Sequence, residues 1–122
     1  MPAYGTGTME TVSAGYPTPV WNDENVAVNA CSVAANMRRN PNMPNCLSIE
    51  LLFAANPGAF GVEAQFADTN EDKYFVTRAP TYTSGLSAGF AGRIEYTNIV
   101  AKFVRLKMAS LTNAVKVTAK LF

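Results

Sequence analysis

Apolar and polar side chains alternate along much of this chain, and no three-to-four-residue period persists anywhere in it. In CLSIELLF (46–53), Leu47, Ile49, Leu51 and Phe53 share one face while Ser48 and Glu50 occupy the other. FGVEAQFA (60–67) repeats the pattern, with Phe60, Val62, Ala64 and Phe66 inward and Gly61, Glu63 and Gln65 outward. A period of two belongs to half-buried strands, because successive Cβ atoms leave opposite sides of the pleat. The same reading predicts strands over NVAVNACSVAAN (25–36), where the alanines leave a helix as the alternative, and over KYFVTR (73–78) and FAGRIEYT (90–97). Between them, 37–45, Asn56-Pro57-Gly58, 68–72 and 79–89 are rich in the residues that punctuate strands.

The clearest signal lies at the end, over 101–122. Val104, Leu106 and Met108 alternate with Phe103, Arg105 and Lys107; then Val115, Val117, Ala119 and Leu121 alternate with Lys116, Thr118 and Lys120. With Ser-Leu-Thr-Asn (110–113) as the loop, the segment reads as a β-hairpin that is apolar inside and basic outside. Seven or eight short strands with turn punctuation and no helical period predict an all-β fold. A single jelly-roll-like sandwich of about eight strands is the expectation. An immunoglobulin-like topology fits the count almost as well, although the paired cysteines and intervening tryptophan of true immunoglobulin domains are missing.

Residues 1–23 differ from the rest. Glycine, proline, threonine and alanine dominate, no period persists, and Pro17 and Pro19 forbid a regular helix. This stretch is expected to be an extended N-terminal arm on a sandwich domain of residues 24–122, able to reach roughly 70 Å when fully stretched. Its isolated aromatics Tyr4, Tyr16 and Trp21 are candidate anchors on a neighbour, since aromatic rings supply much contact area per ordered residue.

Composition adds one asymmetry to this picture. The chain has 122 residues, 48% hydrophobic and 16% charged, with a formal net charge of +1, which suits one globular domain. Residues 101–122 nevertheless hold five cations and no carboxylate, while the first hundred hold five cations against nine acids. Phe103, Arg105, Lys107, Lys116 and Lys120 are therefore candidate contacts with an acidic partner surface. The competing reading is a solvated face whose charges block edge-to-edge aggregation. Aromatics are not interleaved among these cations, which argues against nucleic acid as the partner.

Chemistry finds little support. Gly85-Leu86-Ser87-Ala88-Gly89 matches the text of a nucleophile elbow, but the chain has no histidine to accept the serine proton. Asp68-Thr69-Asn70-Glu71-Asp72 begins like a calcium loop, yet Lys73 and Ala79 stand where its glycine and bidentate glutamate belong. Glu50, Glu63 and Glu95 sit singly, and no phosphate-binding glycine loop occurs. The expectation is a protein that is not an enzyme and uses no cofactor or metal. Cys31 and Cys46 read as small buried thiols in preference to a disulfide. Neither a secretory signal nor a membrane-length apolar run is visible, so a soluble protein made in a cytoplasm is expected.

Two stretches carry a family resemblance: FGVEAQFADTNEDKYFV from Phe60, and AKFVRLKMASLTNAVKVTAK from Ala101. Together they resemble the small jelly-roll cement, or decoration, proteins of tailed bacteriophages, over roughly residues 46–121. The resemblance implies a non-enzymatic virion protein on the capsid surface, made in the host cytoplasm, that binds the major capsid protein and stabilises the shell. It also implies self-association, as a homodimer or higher assembly, and no nucleic-acid or membrane partner. A tail or baseplate module is the alternative within the same class. A carbohydrate-binding sandwich using Trp21, Tyr82 or Tyr96 as sugar platforms is the alternative outside it.

Overall fold

A computed structural model describes residues 18–36, 47–97, 99 and 101–121. Among these are eight strands: β1 (Thr18–Asn25), β2 (Ala35–Asn36), β3 (Leu47–Phe53), β4 (Phe60–Ala67), β5 (Val76–Tyr82), β6 (Ala91–Tyr96), β7 (Phe103–Leu111) and β8 (Lys116–Leu121). One 3-10 turn, Asp72–Tyr74, precedes β5. The strands form two four-stranded sheets, ordered β1-β8-β3-β6 and β2-β7-β4-β5, and every pairing is antiparallel. That order is the jelly roll, in which the chain changes sheet at nearly every connection. Of consecutive strands, only β4 and β5 lie side by side in one sheet.

Alternation chose the inner faces. From the first sheet, Leu47, Ile49, Leu51, Phe53, Val117, Ala119 and Leu121 enter one core with Val62, Ala64, Val104, Leu106 and Met108 from the second. Phe53, Ile49 and Leu106 are each 1% exposed, and full burial of such a side chain contributes about 1.5–3 kcal/mol. Phe53 and Phe60 meet across the sheets with ring centroids 5.0 Å apart, which staples the β3–β4 crossing.

Four expectations need correction. First, β7 and β8 are not a hairpin; they lie in different sheets. The 112–115 link bonds to the β3–β4 link instead of to itself: Thr112 N donates to Ala59 O at 2.9 Å, and Asn113 N to Pro57 O at 3.0 Å. Gly58 permits this contact, with φ at +69° and Thr112 Cβ at 3.0 Å from where a side chain would start. Second, the sandwich begins before residue 24. β1 starts at Thr18, pairs with β8, and buries Val20 and Trp21 in the core; residues 1–17 lie outside the described residues.

Third, most of 25–36 is not strand. Asn29 takes a left-handed φ of 71°, Ala30 N closes a turn onto Ala27 O, and Val28 is 48% exposed. Regular pairing resumes only as an isolated bridge at Cys31 and as β2. Fourth, the strand predicted from Lys73 starts at Val76 and continues through Pro80. β5 is a sheet edge, where a residue without an amide proton is tolerated.

Candidate functional site

Because β7 and β8 occupy opposite sheets, the cations of 101–122 do not form one face. Lys107, together with Phe103 and Arg105, belongs to the outer side of β2-β7-β4-β5, and Lys116 and Lys120 to the outer side of β1-β8-β3-β6. The single basic patch expected from a hairpin is therefore split across the sandwich.

The outer side of the β2-β7-β4-β5 sheet is itself covered. The 3-10 turn and Phe75 fold over it, and Ala34, Ala67 and Phe75 make a second small core against which Phe103 packs. Arg105 lies beneath, 4% exposed. Its Nη1 is 2.7 Å from Asp72 Oδ1, its Nε donates to Gln65 Oε1 at 2.8 Å, and its guanidinium carbon is 4.2 Å from the Phe75 ring centroid. The network continues through Gln65 Nε2, which donates to Thr77 Oγ1 at 3.2 Å, and Thr77 Oγ1, which donates to Glu63 Oε1 at 2.9 Å.

Arg105 thus fills a pocket made by its own chain, and Phe103 is half-buried beside it. A buried cation is expensive unless paired and hydrogen-bonded, and Asp72 and Gln65 meet that requirement. The acidic loop also serves the fold: Asp72 holds Arg105, and Asp68 Oδ1 accepts from Lys102 N at 3.2 Å. Ser32 joins the same layer, donating its amide to Leu106 O and accepting from Leu106 N. Beside it, Cys31 is a free buried thiol. Burial raises its pKa, against the opposing pull of the Arg105 and Lys107 charges, so the thiol stays protonated and poorly nucleophilic at neutral pH.

The other outer side is open. A groove of about 670 Å³ runs over it. Leu52, Glu50, Thr118 and Lys120 line it from β3 and β8, Ala91 and Arg93 from the edge strand β6, Tyr82 from the end of β5, and Gly85 and Ser87 from the chain between β5 and β6. Strand pairing places Lys120, Glu50 and Arg93 in one row across β8, β3 and β6, and Arg93 reaches Glu50 at 3.6 Å and Glu95 at 3.2 Å. Leu52 is 47% exposed within this surface. Lys116, farther along β8, is 4.0 Å from Asp23 and exposed.

Ser87 is a turn residue. Its amide donates to Ala91 O at 2.8 Å and its carbonyl accepts from Phe90 N at 2.9 Å. No helix follows it, so the elbow geometry is absent. Two of the three proposed sugar platforms are also lost, since Trp21 and Tyr96 are 3% and 4% exposed. Trp21 is equally unavailable as an arm anchor. Tyr4 and Tyr16 lie outside the described residues. Of the interface residues named from the sequence, Lys107, Lys116 and Lys120 keep accessible side chains, and only Lys120 reaches the groove. Tyr82, named from the sequence only as a sugar platform, does line the groove, whereas Leu52 and Arg93 were missed; a leucine on the polar side of a strand was the signal for the first.

No family model, curated protein or solved structure matches the chain.

Proposed function

We propose that the chain is a non-enzymatic structural protein of a tailed-phage virion, a cement protein that binds the outside of the head shell and stabilises it. The observation that carries this reading is the complete jelly-roll strand order, β1-β8-β3-β6 against β2-β7-β4-β5, which is the architecture of the proteins the sequence resembles. A fold by itself hosts many functions, so the disposition of the polar groups matters as well. On the covered sheet Arg105, Gln65, Thr77 and Glu63 are engaged in internal pairs, and Ser87 is held in a turn. The open sheet instead presents Leu52 among alternating charges, a surface suited to many modest contacts repeated over a lattice, where avidity multiplies weak affinities. The major capsid protein is the proposed partner, with Lys116 and Lys120 facing its acidic groups and the segment bearing Tyr4 and Tyr16 adding to the attachment.

Co-sedimentation tests this. The purified chain is mixed with shells assembled from the major capsid protein of the same virus, and with isolated tails. Binding to heads that weakens when Lys116 and Lys120 are both changed to glutamate is the expected result. A chain that stays in the supernatant with heads at every concentration sinks the reading, and pelleting with tails alone transfers it to a tail or baseplate module.

A further inference from the structure

The exposed edge of β6 is closed at both ends and open in the middle. Phe53 N donates to Phe90 O at 3.0 Å, and the β3–β6 register continues from that pair through Leu51 with Gly92, Ile49 with Ile94 and Leu47 with Tyr96. Residues opposite one another in an antiparallel ladder alternate between hydrogen-bonded and non-bonded pairs. Gly92, Ile94 and Tyr96 therefore turn their backbone groups toward β3, whereas Ala91, Arg93, Glu95 and Thr97 turn theirs outward. Two of the outward carbonyls are engaged: Ala91 O accepts from Ser87 N at 2.8 Å, and Thr97 O accepts from Arg78 Nη2 at 2.7 Å. β6 ends its sheet, so the N–H and C=O groups of Arg93 and Glu95 face no further strand among the described residues.

We propose that this edge pairs with the same edge of a second copy, antiparallel about a two-fold axis through Ile94. About that axis Arg93 lies opposite the partner's Glu95, and Glu95 opposite the partner's Arg93. Both are hydrogen-bonded pairs, so the four open groups of each edge form four main-chain bonds between the protomers. On the outer face a cation then meets a carboxylate twice, where opposite charges stabilise a cross-strand pair and like charges oppose it. These side chains are 56% and 65% exposed and free to turn from their intrachain contact toward the partner.

The register cannot slip. Moving the axis to residue 93 sets arginine against arginine, and moving it to residue 95 sets glutamate against glutamate. Either shift also brings Ala91 or Thr97, whose carbonyls are engaged, into the ladder. A strand from another protein would find the same backbone groups, but the Arg-x-Glu order is complementary to itself when reversed, which selects a second copy. The pairing joins two sheets into one of eight strands and does not rest on the proposed capsid binding.

Sedimentation velocity from micromolar to about millimolar concentration tests it on the full chain. The wild type is expected to self-associate to a dimer. Arg93→Glu and Glu95→Arg, each placing like charges in opposition twice, are each expected to weaken the dimer by about tenfold or more, and the combined swap to restore it. Glu95→Pro removes an amide proton that bonds no partner among the described residues and is tolerated on a sheet edge; it abolishes the dimer while the circular dichroism of the monomer stays native. A wild type that remains monomeric overturns the inference, as does a dimer indifferent to the single changes or one that the double swap fails to restore.

Discussion

Replacing Arg105 by alanine is expected to cost this fold far more than the loss of any surface cation. Arg105 is 4% exposed, and its guanidinium contacts Asp72 at 2.7 Å, Gln65 at 2.8 Å and the face of Phe75 at 4.2 Å. Hydrogen bonds to a charged group contribute about 1.5–3 kcal/mol each, and a desolvated cation over an aromatic ring adds about 0.5–2 kcal/mol. Two considerations lower the sum. Asp72 is 61% exposed and regains water when its partner leaves, and burying the guanidinium carries its own desolvation penalty. Gln65, 7% exposed, has no such recourse, and its Oε1 loses its strong donor. The net expectation is about 3 kcal/mol, equivalent to a fall in Tm of about 10 °C for a domain of this size. Urea unfolding followed by fluorescence measures it directly, because Trp21 is the sole tryptophan and is buried in the core. Lys116→Ala, which removes an exposed pair at 4.0 Å, is the control and should change stability by less than about 0.5 kcal/mol. If Arg105→Ala is as silent as Lys116→Ala, the buried-strut account is wrong.

Truncation and glycine replacement give two further tests. Deleting residues 1–17 removes no described strand and should leave a cooperative unfolding transition. Deleting 1–23 takes Val20 and Trp21 out of the core and should cost at least about 4 kcal/mol; equal stability of the two truncated chains, by urea midpoint, would contradict the place of β1 in the sheet. Gly92→Ala puts a Cβ into the ring of Tyr82 and within 3.0 Å of Leu86 Cδ2, at an expected cost of about 1–3 kcal/mol. Adding Tyr82→Ala should then cost less than it does alone, and strict additivity in the double-mutant cycle would show that the two residues do not touch.

The sequence was most legible where one strand face is dry and the other wet. β3, β4, β7 and β8 were readable because Leu47 through Leu51, or Val104 through Met108, alternate without a break. β1 was not, because Pro19 interrupts it and its pairing with β8 shifts register between Pro19 and Trp21 and again between Trp21 and Glu24. Irregular pairing of this kind erases a period of two. The 25–36 stretch misled in the opposite direction. Val26 and Val28 alternate convincingly, but the turn at Asn29 leaves Val28 in solvent.

The candidate site was less legible than the fold. Arg105 looked like a surface cation because the residues that cover it, Asp72 and Phe75, come from a loop about thirty positions away in sequence. The groove draws on β3, β6, β8, the end of β5 and the chain between β5 and β6, so no local window contains it. Lys120, Glu50 and Arg93 stand in a row only because β8, β3 and β6 pair in that order.

The chain's own pattern determined that the protein is all-β, which side of its best strands faces the core, and where most turns fall, because those properties follow from the short-range geometry of a pleated backbone. Tertiary structure decided which sheet each strand joins. Alternation specifies a side and never a partner, so a hairpin and a crossing between sheets bury Val104–Met108 and Val117–Leu121 equally well. In the fold adopted, Thr112 and Asn113 bond to Ala59 and Pro57, more than fifty residues away, and β7 and β8 part into opposite sheets. That single choice divided the basic residues of the last strands between opposite sides of the sandwich, sank Arg105 beneath a loop, and left β6 as an edge.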